Sequence, residues 1–193
     1  MPRSIPSSLE RKIAMQQRAR RIVLASLLAT GALAGAADAQ TAASGWNVLL
    51  KVDNPATGWK QRSTRLGLAP DATVGFDRYD LPAMTPFSSP YLYLAFPHPE
   101  WGAKAGNYAT DFRPLKSAFD SSATSWKFDL HSSPASGTVY VSWEGDPAVL
   151  QRSTITDTQT GIVYKASDPA LGGRGIQVAV TAETRSFVWT YRP

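Results

Sequence analysis

Cysteine is absent from the 193 residues and histidine occurs only twice. Disulfide staples and thiol chemistry are therefore excluded, as are the Cys-based and His-x-His spacings of zinc and copper sites. No Gly-x-Ser-x-Gly elbow and no phosphate-cradling glycine loop occur, so the nucleophile and nucleotide signatures that travel with those motifs are missing. His98 stands among prolines in a loop-like stretch and His131 ends an alternating run on its polar face. Neither has the neighbours of a catalytic base, and replacing both by Asn should leave the protein's role intact. Clustered positive charge is also lacking once the basic residues are located. The chain carries +5 overall, but Arg3, Arg11, Lys12, Arg18, Arg20 and Arg21 all fall before residue 22. The part after residue 39 keeps 14 of the 20 basic and 13 of the 15 acidic residues. A nearly neutral body has no electrostatic footprint for a phosphate backbone, which excludes nucleic acid as the expected partner.

Long hydrophobic runs are scarce as well, with one exception. From Ile22 to Ala36 the chain is uncharged, preceded by the basic cluster and followed by Ala37-Asp38-Ala39 and Gln40. This is the order of a secretory signal. The run is diluted by Ala, Gly, Ser and Thr and falls short of the roughly 20 apolar residues of a comfortable membrane span. Residues 1–39 are accordingly read as a cleaved signal peptide or, failing cleavage, a short membrane anchor, and any membrane contact of the body would come through that leader. Residues 40–44 are a linker, and 45–193 a single domain exported to the periplasm or beyond.

In that body the dominant signal is alternation with period 2. Trp46, Val48 and Leu50 form one set; Trp126, Phe128 and Leu130 another; then Val139, Val141 and Trp143; Ile176, Val178 and Val180; and Phe187, Trp189 and Tyr191. Each predicts a strand with one face in a core. Tyr91 to Phe96 is apolar on both parities and predicts a strand covered on both faces. Turn residues separate the runs, and Ile155 to Val163 predicts a hairpin with Gly161 in the left-handed conformation. The fold class is all-β: an antiparallel, two-sheet, immunoglobulin-like sandwich with little helix. Two Pro-rich excursions, 70–90 and 97–119, interrupt it, and long segments of this kind in a small domain are usually functional or act as caps.

Several stretches resemble a family of secreted bacterial immunoglobulin-like modules of the hook-cap type. They are Leu66-Gly67, Asp71 to Pro82 with its Gly75-Phe76-Asp77 centre, Tyr93 to Pro97, Asp111-Phe112-Arg113, Trp126-Lys127-Phe128, Val141-Ser142-Trp143 and Thr156 to Gly161. The resemblance implies a noncatalytic domain of surface and exported proteins and supplies no ligand. Val74 stands where the module often carries another acid.

Asp71, Asp77 and Asp80 lie within ten residues of one another and with backbone carbonyls could ligate calcium, a cation of six to eight oxygens. The spacing is not that of an EF-hand loop, and the reading that competes with calcium, and outweighs it, is that these acids form Asx turns and caps that brace a Pro-rich loop. No other cofactor is expected. Trp101, Tyr108 and Phe87 are the candidate contact residues, with Trp101 in its Pro-Glu-Trp-Gly loop either anchoring a partner or plugging the end of the sandwich. The expected function is that of a noncatalytic interaction or structural module docking on a protein of the cell envelope. The alternative is a carbohydrate-binding module using the loop aromatics Trp59, Trp101 and Tyr108.

Overall fold

Side chains on a strand point alternately to opposite faces, and the alternating sets bury as that rule requires. Trp46, Val48, Leu50 and Val52 line the inner face of β1 (Trp46–Asn54), and Trp126, Phe128 and Leu130 that of β6 (Thr124–Ser133). The computed structural model describes residues 45–117, 120–171 and 173–193. The leader and linker expected over residues 1–44 lie outside the described residues.

The remaining elements are β2 (Trp59–Ala69), β3 (Tyr91–His98), β4 (Gly106–Tyr108), β5 (Thr110–Pro114), β7 (Thr138–Glu144), α1 (Pro147–Gln151), β8 (Ser153–Asp157), β9 (Val163–Lys165), β10 (Ile176–Ala179) and β11 (Thr184–Tyr191). One sheet runs β10-β7-β1-β2-β5 and the other β4-β3-β6-β11-β8-β9. Their inner faces share one apolar core, within which Trp46 of the first sheet meets Trp126 of the second edge to face, centroids 5.6 Å apart. The described residues therefore form an all-β fold, with two sheets packed on one core. Among the described residues helix is confined to α1, capped by the Asp146 side chain with Pro147 in its first turn, and to two 3-10 turns.

Two expectations need correction. The fold is not wholly antiparallel, because β2 and β5 pair in parallel, Arg65 opposite Thr110 through Ala69 opposite Pro114. A parallel pair needs a long crossover. Here the 70–90 excursion, β3 and β4 supply it, carrying the chain through the opposite sheet and back to the free edge of β2. Nor is 97–119 a single loop. It contains the last residues of β3, a 3-10 turn, and β4 and β5, which fall in different sheets. The chain changes sheets at Ala109.

A bulge explains how the sheets are stitched near this corner. Leu50 faces Thr64 and Val52 faces Gln61, so β2 carries one residue more than β1 between those pairs. The extra residue lets Gln61 and Thr64 both turn inward, although their separation would otherwise put them on opposite faces. They reach the backbone of β3, where Leu94 N–H donates to Gln61 Oε1 (3.1 Å) and Leu94 C=O accepts from Thr64 Oγ1 (3.0 Å). β4 pairs only with Phe96–His98, and these two side chains satisfy main-chain groups that a neighbouring strand would otherwise satisfy.

The predicted hairpin is present. Gly161 has φ 70°, and its N–H donates to Asp157 C=O at 2.8 Å. A Cβ built at Gly161 would meet nothing within 4 Å, so only backbone strain opposes a side chain there. Gly161→Val is expected to lower stability by about 1 kcal/mol or more and Gly161→Asn by less, since Asn tolerates the left-handed region. Urea midpoints of the two variants check this; equal, unchanged midpoints would make the glycine incidental.

Candidate functional site

The 70–90 excursion is an ordered strap whose acids hold its own backbone. Asp77 accepts from Thr73 N–H (2.6 Å) with one oxygen and from Tyr79 N–H (2.8 Å) with the other, and Asp80 accepts from Asp77 N–H (2.7 Å). Asp71 takes the Arg78 guanidinium and the Tyr79 hydroxyl; that Tyr79 bond, with the Arg78 charge adding to it, holds its carboxyl below the usual range against the opposing effect of desolvation. These are the loop-bracing bonds that Asx chemistry predicts. Among the described residues no three His, Asp or Glu side chains are grouped so as to hold a metal ion. Asp71, Asp77 and Asp80 face separate partners in place of a common centre.

The strap is fastened to β4 and β5. Leu81 N–H donates to Thr110 Oγ1 (2.7 Å), Ala109 N–H to Leu81 C=O (2.7 Å), Ala83 N–H to Asn107 C=O (2.9 Å) and Arg113 Nη1 to Val74 C=O (3.1 Å). Tyr79 packs on Phe112, and Phe76 on both Trp101 and Tyr108.

Beneath it lies a polar cluster that joins the sheets. His98, at the end of β3, bonds Glu100 Oε1 through Nδ1 (2.8 Å) and Asp111 Oδ2 of β5 through Nε2 (3.1 Å), and Arg113 Nη2 donates to the same Asp111 oxygen (2.9 Å). His98 is 4% and Asp111 1% exposed. The Trp101 ring lies flat on the imidazole, 3.6 Å away and 2° from parallel. Burial alone would pull the imidazole down, but its bonds to Asp111 and Glu100 outweigh that and hold its pKa above the ordinary histidine value. The protonated ring then donates from both nitrogens and presents its charge to the face of Trp101.

His98 is thus not the loop residue that its flanking prolines suggest. With both nitrogens on carboxylates and one face under an indole it is a brace between sheets, and its replacement cannot be neutral for the fold. His131 does lie on the outward face of β6, stacked on Tyr93 (centroids 4.6 Å apart), with burial lowering its pKa. Asp80 borders the cluster. It is 4% exposed, its Oδ1 has no hydrogen-bond partner among the described residues, and burial, with the Asp77 and Asp111 charges adding to it, pushes its pKa up to about 6.

The predicted contact residues separate. Tyr108 is 5% exposed, and its hydroxyl donates to Lys104 C=O. It is a core residue and offers no contact surface, which corrects that expectation. Trp101 is half-buried between His98, Tyr108 and Phe76, the geometry of a plug. It meets Tyr108 edge-on at 65°, so the two do not make the flat platform that sugar stacking would use. Phe87 is wholly exposed, at 104% of its reference surface, and Met84 is 88% exposed; Val74, Phe76 and Leu81 are exposed too. Sequence patterning missed the Met84 and Leu81 contributions, and it missed the pairing of His98 with Asp111, for which no local signal exists.

Comparison with protein-family models, with curated proteins and with solved structures finds no match to this chain.

Proposed function

We propose that this chain is an exported, noncatalytic interaction module: an immunoglobulin-like sandwich that docks on a protein of the cell envelope through the 70–90 strap. The observation that carries the reading is the exposure of Val74, Phe76, Leu81, Met84 and Phe87 on one short segment whose backbone is pinned by Asp77, Asp80, Thr110 and Arg113. Exposed apolar side chains clustered in this way mark interaction sites, and a pre-ordered segment loses little entropy on binding. The secretory order of the leader supports export, and the resemblance to secreted bacterial modules supports the noncatalytic role.

The test is site-specific photocrosslinking in native envelopes, with the reactive residue at Met84 or Phe87 and, as control, at Gln177 on β10, the edge strand farthest from β5 in their common sheet. The reading requires a defined protein adduct from 84 and 87 that Gln177 does not give, and its loss when the other strap position is changed to Ser without a shift in melting temperature. Equal labelling from all three positions, or none from the strap, would overturn it.

A further inference from the structure

A second surface, remote in sequence from the strap, has the chemistry of a ligand site. Register places Gln177, Tyr140, Asp53 and Lys60 side by side across β10, β7, β1 and β2, on the face turned away from the core because their neighbours Val52, Val139, Val141 and Val178 face inward. Over this row opens a groove of about 520 Å³ lined by Asp53, Asn54, Lys60, Tyr140 and Arg174, among others. Its only carboxylate among those residues, Asp53, is held by both oxygens in the Arg62 guanidinium (3.2 and 3.3 Å). The Asn54 carbonyl oxygen is likewise consumed, accepting from Ala56 and Thr57 N–H at 3.0 and 3.3 Å, which leaves its amide group to donate. Lys60 and Arg174 are exposed and have no carboxylate partner among the described residues.

The groove therefore offers a surplus of donors, two unneutralised cations and a half-exposed aromatic ring. Arg174 is not on a loose tip. The next residue, Gly175 (φ 80°), packs so closely on β7 that a Cβ would lie 2.0 Å from Val141 C=O, and its N–H donates to Leu171 C=O at 2.9 Å. Lys60 stands two strands from Tyr140, roughly 10 Å by strand spacing, and Arg174 enters the same groove from the turn that precedes β10. A ligand matching these features has a flat, weakly polar face for Tyr140 and an anionic group that a guanidinium and an ammonium both reach.

We infer that this groove binds acidic carbohydrate, a sugar ring bearing a carboxylate, with the ring on Tyr140 and the carboxylate between Lys60 and Arg174. The site shares no residue with the strap and stands or falls separately from the docking reading.

The full chain is titrated by calorimetry and by ¹H–¹⁵N shifts with an oligogalacturonate, with the neutral galactan oligosaccharide of equal length, and with inorganic phosphate. Saturable binding of the oligogalacturonate is expected, with shifts centred on Asp53, Lys60, Tyr140 and Arg174, and with affinity falling as salt rises. The double variant Lys60→Gln/Arg174→Gln should lose roughly tenfold or more in affinity at an unchanged melting temperature, because both side chains are exposed. Tyr140→Thr, which keeps strand propensity, should weaken the sugar but not phosphate. Neutral sugar binding equally well, shifts centred elsewhere, or phosphate binding as tightly with Tyr140→Thr without effect would each overturn the assignment.

Discussion

Replacing Asp111 with alanine is expected to lower the unfolding free energy by about 3 to 5 kcal/mol, the range seen when one partner is removed from a buried charged pair. Asp111 is the acceptor that His98 of one sheet and Arg113 beside it on β5 share, at 3.1 and 2.9 Å. Without it the imidazolium keeps only Glu100, whose carboxylate lies largely in solvent, and the guanidinium loses its carboxylate. The edge strand β5 then depends on its parallel pairing with β2 and on the strap. Asp111→Asn retains one acceptor and should cost less than the alanine change, and Glu100→Gln should cost under about 1 kcal/mol because it is an exposed contact. Urea denaturation ranks the three, and a His98→Ala/Asp111→Ala cycle measures the coupling directly. An Asp111→Ala loss no larger than that of Glu100→Gln would show that the brace contributes little.

The second large effect concerns pH. Asp80 is protonated more readily in the folded chain, with its pKa raised from 3.8 to about 6 by burial. A carboxyl with a raised folded pKa contributes stability that is full below its unfolded pKa and is lost as pH rises through the folded one. Between about pH 4.5 and pH 7.5 the loss from Asp80 is on the order of 2 kcal/mol. His98, also raised, acts in the same sense at higher pH: its contribution is present below about pH 6.5 and fades as pH climbs past the folded value. His131 opposes this, since its pKa is lowered and it loses stability as pH falls through that window. Asp157, held low by Arg185 and Thr160 against its burial, contributes stability that is lost only in stronger acid. The Asp80 share is isolated by comparing the chain with Asp80→Asn, in which the side chain cannot ionise and keeps an acceptor for Asp77 N–H. The variant should gain stability relative to the parent as pH rises from about 4.5 to about 7.5. Parallel urea-midpoint profiles for the two proteins would remove Asp80 as a titrating element.

Much of the architecture is local and was therefore legible in the order of residues. The alternation of Trp46, Val48 and Leu50, of Trp126, Phe128 and Leu130, and of Phe187, Trp189 and Tyr191 determined strands and inward faces, because the side-chain period of a strand is a property of the chain itself. The both-sided burial of Tyr91 to Phe96 was readable for the same reason, and the left-handed Gly161 followed from the hairpin around it. The loop-bracing use of Asp77 and Asp80 was legible too, since Asx turns close within a few residues.

What only the tertiary structure decided depends on pairings between distant segments. The parallel return of β5 beside β2, the bulge that turns Gln61 and Thr64 toward Leu94, and the union of His98 with Asp111 across two sheets have no periodicity or motif of their own. Each brings together residues that local patterning treats separately. The same holds for the groove on the outward face of the β10-β7-β1-β2-β5 sheet, where Lys60, Tyr140 and Arg174 come from three separate segments. Composition records that cations and aromatics exist; only the fold brings Lys60 of β2, Tyr140 of β7 and Arg174 of the turn before β10 to one groove.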